Sequence, residues 1–265
     1  MKNVEIQSEH QKDLERIANF RLLDDDFMTA VFQGETACTE LLLRIILNNT
    51  QMKVNKVIVQ DNIKNINGRS IRLDIHAYDE FCEYDIEIQR ADKGADARRA
   101  RYNGSIMDAN ALIAGDKYEN LPESYVIFIT ENDVLKGNLP IYHVERTIRE
   151  SGESFADGMH IIYVNGANTD DTPLGRLMHD FRCKDPSNMY YEKLATRVRY
   201  FKETKKGVDS MCKVMEDMRR EAAAKKSLEY IIGMLKEKLP VDMIARITKI
   251  SAEKINEIGR LNGLL

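Results

Sequence analysis

Residues 71–90, IRLDIHAYDEFCEYDIEIQR, alternate apolar and polar side chains twice, with a short polar break between the two runs. Period-two alternation on both sides of such a break predicts two β-strands joined as a hairpin. On the first strand Ile71, Leu73 and Ile75 take one face and Arg72, Asp74 and His76 the other. On the second, Tyr84, Ile86 and Ile88 oppose Asp85, Glu87 and Gln89. A turn centred between Glu80 and Phe81 sets Asp74 across from Glu87 and Arg72 across from Gln89. Directly opposed residues hold their Cβ atoms roughly 4.5–5.5 Å apart, where like charges repel. A hard divalent ion such as Mg2+, bound by one or two carboxylates and several waters, would relieve that repulsion. Gln89, on the same face as Glu87, is placed to orient a water. An ordinary solvated sheet face would show the same alternation.

Working upstream, VNKVIVQ (54–60) is a β-rich run and Asn67-Gly68 supplies turn chemistry, so three strands follow one another. Earlier still, residues 13–23 have helical character, and LLDDDF (22–27) reads as a turn whose acids suit the start of the next helix. Residues 35–48 carry Leu41, Leu42, Ile45 and Ile46 at helical spacing, which predicts a core helix. Glu40 inside it is a candidate third acidic group at the metal, or a solvent-facing neighbour of Arg44.

Downstream, ADKGADARRARYNGSIMDANALIAG turns helical from about Ala95, with Arg98, Arg99 and Arg101 on its first turns and Tyr102 three residues after Arg99. Guanidinium groups there would clamp a phosphodiester, although an Arg-rich helix face can also be merely solvated. SYVIFIT (124–130) predicts a strand buried on both faces. Residues 141–148 and 160–164 add edge strands, and LGRLMHDF a short helix. From about Tyr190 the chain becomes charged and helix-rich. A break at Lys205-Lys206-Gly207 precedes a long helix ending before Pro240, with Met211, Met215 and Met218 as a packing stripe. The last segment, DMIARITKISAEKINEIGRL, predicts two short helices with Ser251 as N-cap: a helix-turn-helix, or a plain helical hairpin. Two regions are expected, 1–190 and 191–265.

A chain of 265 residues, 43% hydrophobic, can bury one good core plus an appendage. Cys38, Cys82, Cys183 and Cys212 lack CxxC spacing and the five histidines lack HxxxH, so a metal here would rest on oxygen ligands. Nothing reaches 18 consecutive apolar residues and the first residues are polar rather than signal-like, which predicts a cytoplasmic protein without a membrane span. The net charge of −4 is uneven: residues 191–265 hold 17 Lys and Arg against 11 Asp and Glu, leaving 22 against 32 for residues 1–190. That balance permits salt-sensitive DNA binding without demanding it.

Asp74 in RLDIHAYD, Glu87 and Gln89 in YDIEIQ, the RRARYNGSIMD helix, and KYENLPESYVIFI followed by LPIYHVERTI together resemble the PD-(D/E)XK nuclease superfamily. Within it they look most like the recombination-promoting nuclease (Rpn) and putative transposase family. The resemblance covers roughly residues 20–205. It implies an α/β fold with a restriction-endonuclease-like αβββαβ core and mixed central sheet, followed by a helical C-terminal region. It also implies metal-dependent cleavage of DNA, with Mg2+ as cofactor and Mn2+ as a substitute. Asp74 and Glu87 then look like the metal ligands. Gln89 takes the place of the usual lysine, and Arg99 and Tyr102 fall where the family has an Arg and a Tyr that would hold substrate. No proline precedes Asp74, and the neutral Gln89 amide supplies none of a lysine's positive charge.

The resulting expectation is an Mg2+-dependent DNA endonuclease linked to recombination or a mobile element, cutting double strands as a homodimer if it does so with two sites. The alternatives are a catalytically weak DNA-binding or protein-interaction module that keeps the nuclease fold, and a nuclease acting on RNA.

Overall fold

The computed structural model describes residues 2–65, 68–90 and 94–265, with side chains from His10 onward. The apolar run SYVIFIT lies in β4 (Glu123–Thr130), inside a sheet of six strands among the described residues. β3 (Cys82–Gln89) and β6 (Met159–Asn165) flank it in parallel. β2 (Ile71–Tyr78) and β1 (Lys56–Ile63) extend the β3 side antiparallel, and β5 (Ile141–Val144) closes the other edge antiparallel to β6. The order is β1-β2-β3-β4-β6-β5. The strand expected at an edge over residues 160–164 is therefore interior. β6 buries Ile162, Tyr163 and Val164, whereas Val144 of β5 is exposed, so β5 takes the outer position.

Six helices accompany the sheet in the first compact unit: α1 (Lys2–Asn19), α2 (Asp25–Phe32), α3 (Thr36–Ile46), α4 (Ala97–Ala111), α5 (Pro173–Arg182) and α6 (Glu192–Glu203). α2 packs on β1 and β2, α3 on β1, and α4 on β1, β3 and β4. The succession α3-β1-β2-β3-α4-β4 is the αβββαβ order expected. Asp96 caps α4 by accepting from the Arg98 amide at 2.8 Å. Small side chains let α4 lie close to the sheet: a Cβ on Gly104 would sit 2.1 Å from the end of Met159. Ala100, Ile106 and Met107 of α4 pack with Ile71, Leu73, Val126, Phe128 and Tyr163.

The hairpin has the predicted register over four pairs, Ile75 with Ile86 through Tyr78 with Glu83. Asp79 fixes its turn, accepting from the amides of Phe81 (2.8 Å) and Cys82 (2.7 Å). The predicted alternation, however, does not run the length of β2. Leu73 belongs to the α4-facing cluster, yet His76 pairs with Asp85, whose carboxylate is bonded by Asn103 of α4. Two residues an odd step apart share a face, so the strand kinks between them. Opposite Asp74, Gln60 has φ of 52°, a conformation uncommon for a residue other than glycine. Asp74 therefore stands at the kink. The turn expected at Asn67-Gly68 lies partly outside the described residues, since Asn67 is not among them.

The chain divides into two compact units, 1–211 and 212–265. The first compact unit runs past residue 190 and includes α6, which buries Leu194, Ala195, Val198 and Phe201. The break expected at Lys205-Lys206-Gly207 falls just before it, at Thr204, and these three residues open α7 (Lys205–Lys236). Of the predicted methionine stripe, Met211 and Met215 are buried and Met218 is exposed. The second unit holds α7 from Cys212 onward with α8 (Val241–Thr248) and α9 (Ala252–Leu261). Ile231, Leu235, Ile244, Ile255 and Ile258 form its core. Ser251 caps α9, accepting from Lys254, and Lys249 takes the left-handed turn position at φ 63° that a glycine often fills.

Candidate active site

Glu83, Asp85 and Glu87 alternate along β3 and all are buried, Asp85 and Glu87 at 0% exposure. The solvated-face reading of the hairpin is thereby excluded. Asn103, buried in the middle of α4, donates to Asp85 Oδ2 at 2.8 Å and to Glu87 Oε1 at 3.3 Å. One helical turn earlier Arg99 makes an ion pair with Glu87 Oε2, donates to the Gly94 carbonyl at 2.9 Å, and lies over the Phe128 ring. Gln89 donates through Nε2 to the same Glu87 oxygen at 3.1 Å. Its Oε1 has no donor among the described residues and lies against Gly94, where a Cβ would come within 1.8 Å of it. A side chain at position 94 would push the Gln89 amide from this place.

Asp74 joins this group from the kink in β2. Its Oδ2 accepts from the Ile88 amide at 2.9 Å, so a side chain takes a backbone donor where the β2–β3 ladder stops. It shares a cavity of about 280 Å3 with Asp25, Arg72, Gln89 and Arg99. Burial raises the Asp74 pKa to about 6, with the Asp25 charge adding and the Ile88 amide, Arg99 and Arg72 opposing. Burial likewise raises Asp85 to about 7, against the Asn103 hydrogen bond and with the Asp74 charge adding. Glu87 is pushed up to about 9 by burial and by the charges of Asp85 and Asp74, with Arg99 opposing. Three crowded carboxyls thus resist being ionised together.

Of the residues expected at the site, Asp74, Glu87, Gln89 and Arg99 come together, though Arg99 is committed to Glu87 rather than free for a substrate. Glu40 is not brought there. One of its oxygens pairs with Arg44 at 2.9 Å and the other accepts from the Val54 amide at 3.1 Å, fastening α3 to the approach of β1. Tyr102 lies beside the group but turns to the β1–β2 loop, donating to the Arg69 carbonyl at 2.5 Å and accepting from Asn65 at 3.3 Å. Three residues escaped the sequence reading. Asp25 was hidden in a DDD run that serves as helix-start chemistry. Asp85 was counted on the polar face without a role, and Asn103, four residues after Arg99, was the only visible sign of an inward polar contact from α4.

Among the described residues no three His, Cys, Asp or Glu side chains form a ready metal cage. Mg2+ does not need one, because it keeps several waters and takes one or two carboxylates together with substrate phosphate oxygens. Asp85 Oδ1 is buried with no hydrogen-bond partner among the described residues. An orphaned acidic oxygen beside two further carboxylates fits a divalent cation in charge and in donor type.

A family model described as PD-(D/E)XK nuclease family transposase matches residues 31–173, more than half of the chain. The chain belongs to that family. The PD-(D/E)XK match runs from within α2 through β6 and includes Asp74, Glu87, Gln89, Arg99 and Tyr102. It makes the mixed sheet with its flanking helices a restriction-endonuclease-like α/β fold followed by a helical C-terminal region, and it groups the chain with nuclease and transposase-like proteins. PD-(D/E)XK nucleases usually use divalent metals. No curated protein and no solved structure matches the chain. Among the described residues no helix is long and apolar enough to cross a membrane.

Proposed function

We propose that this PD-(D/E)XK chain is a DNA endonuclease whose cleavage centre is built by Asp74, Glu87 and Gln89 and depends on Mg2+, with Mn2+ able to replace it. The observation that carries the proposal is the burial of Asp85 and Glu87 beside Asp74, with one guanidinium, Arg99, in ion-pair contact. Such a group is short of positive charge. A divalent ion held by Asp74 and Glu87 would supply it, and when bound would polarise the scissile phosphate and acidify a coordinated water.

The chain's own residues do the remaining work. Gln89 Oε1, without a donor among the described residues, accepts a hydrogen bond from the attacking water, while its Nε2 keeps Glu87 in place. Asn103 holds Glu87 from the other oxygen. Arg99 neutralises Glu87 and competes with the cation for Glu87 Oε2. A neutral amide at position 89 orients the water without stabilising developing negative charge, so the expected turnover is slow relative to a centre with lysine there. That same feature favours the second reading, a weakly catalytic or inactive DNA-binding or protein-interaction module.

Plasmid cleavage decides between them. Wild-type protein should nick or linearise DNA with Mg2+ or Mn2+ and not in EDTA, while Asp74→Asn and Glu87→Gln lose at least about a hundredfold in rate, the size of effect seen when one electrostatic stabiliser is removed. Metal-independent cutting, or full activity in both variants, would overturn the nuclease proposal.

A further inference from the structure

Beside the cleavage centre, the start of β2 and the first turns of α4 border a groove of about 950 Å3. Arg69, Arg72, Arg98 and Arg101 line it and all four are exposed. Among the described residues none of the four has a carboxylate within ion-pair distance, whereas nearby Arg21, Arg44, Arg90 and Arg99 are each paired. Asp96 is the one carboxylate lining this groove among the described residues, and Arg72 also lies in the field of Asp74, so the guanidinium groups remain in excess and their clustering is unfavourable unless an anion neutralises that excess. The N-terminus of α4 adds its own partial positive charge to the same place. Tyr102 shapes the groove, since its hydroxyl pins the backbone of Arg69 to α4.

The other end of β2 is opposite in character. There a groove of about 660 Å3 is lined by Asp61, Asp79, Glu80, Glu83 and Glu119, without a Lys or Arg. His76 in its wall is held between Asp61 (2.7 Å) and Glu83 (2.6 Å) and offers no free cation. A polyanion reaching Asp74 is therefore attracted along one end of β2 and repelled at the other.

We infer that the Arg69–Arg72–Arg98–Arg101 groove is a track for the phosphate backbone of a nucleic-acid strand, leading it from the cleavage centre over the β1–β2 loop and away from the hairpin tip. The inference rests on the nuclease reading for the centre it leads from, but the track grips phosphate and needs no base identity. Arg99 also lines the groove, but its guanidinium is committed to Glu87 and is not counted among the phosphate contacts.

The test uses the full chain carrying Glu87→Gln, titrated in EDTA against a fluorescein-labelled DNA duplex over a range of salt. Adding Arg69→Ala, Arg98→Ala and Arg101→Ala should weaken binding more than tenfold and make the log K against log salt slope shallower by about 0.9 for each phosphate no longer neutralised, near 2 to 3 in all. Arg→Lys at the same three positions should keep most of the slope. Should the triple variant fail to fold, Arg69→Ala and Arg98→Ala singly, both exposed, should each flatten the slope by about 0.9. Unchanged affinity and slope would overturn the track. Wild-type protein that cuts plasmid while binding ignores the arginines removes the track and leaves the nuclease. Arginine-dependent binding with no cleavage under Mg2+ or Mn2+ removes the nuclease and leaves the track.

Discussion

Asp74, Asp85 and Glu87 hold their protons more tightly in the folded chain than they would in water, because burial disfavours the charged form and each charge disfavours the next. Their folded pKa values, about 6, about 7 and about 9, lie above ordinary carboxyl values near 4. The folded state therefore binds more protons than the unfolded one between those limits. The stability they contribute is fully present below about pH 4 and is lost as pH rises through the folded values. Thermal melts in EDTA should accordingly show Tm falling from about pH 5 to pH 8, and Glu87→Gln, which cannot ionise, should flatten the fall. Mg2+ should raise Tm more at pH 8 than at pH 5, since only ionised carboxylates attract it. A Tm that climbs with pH over this window would contradict the crowding of the three groups. At this scale the alternation of residues 71–90 pointed to Asp74, Glu87 and Gln89 as candidates, without foreseeing that the alternation breaks at Asp74. It concealed Asp25 and Asn103, which reach the site from helices and have no periodic signature.

The elements that carry those residues depend on small local devices. α4 presents Arg98, Arg99 and Arg101 from its first turns and Asn103 one turn on, so its N-terminus controls both the centre and the groove beside it. Asp96 satisfies one of the four amides that a helix start leaves without a partner. Asp96→Ala should cost about 1 kcal/mol of stability by loss of that cap, read as a lowered denaturant midpoint with an unchanged m-value. Loss of under about 0.3 kcal/mol would mean that packing under Gly104 and Ala100, rather than the cap, sets where α4 begins. The succession of β1, β2 and β3 and the hairpin register were readable because side-chain period and turn position fix them together. The kink at Asp74 was not, since Gln60 carries the positive φ and nothing in a glutamine announces it. The interior place of β6 was equally hidden, because a short apolar run reads alike at an edge and in the middle.

At the scale of the whole chain, each of the two units has buried hydrophobic side chains of its own, and the family match falls within the first of them. Residues 212–265 form too short a stretch to bury much surface, so their stability hangs on a few isoleucines and leucines. Ile255 is fully buried among Ile231, Leu235, Ile244 and Ile258. Ile255→Ala removes three methyl or methylene groups from that cluster and should cost about 2–5 kcal/mol, enough to unfold a unit of this size by itself. Hydrogen exchange should then show the amides of α8 and α9 losing protection while those of β3 and β4 keep theirs. Because Asp74, Glu87 and Gln89 belong to the other unit, metal-dependent cleavage of plasmid should persist at a rate within about twofold of wild type, as expected for sites that share no packing partners. If cleavage instead fell in step with α8–α9 protection, the terminal helices would be part of the cutting assembly, and the division of labour between a catalytic unit and a separately folded tail would have to be abandoned.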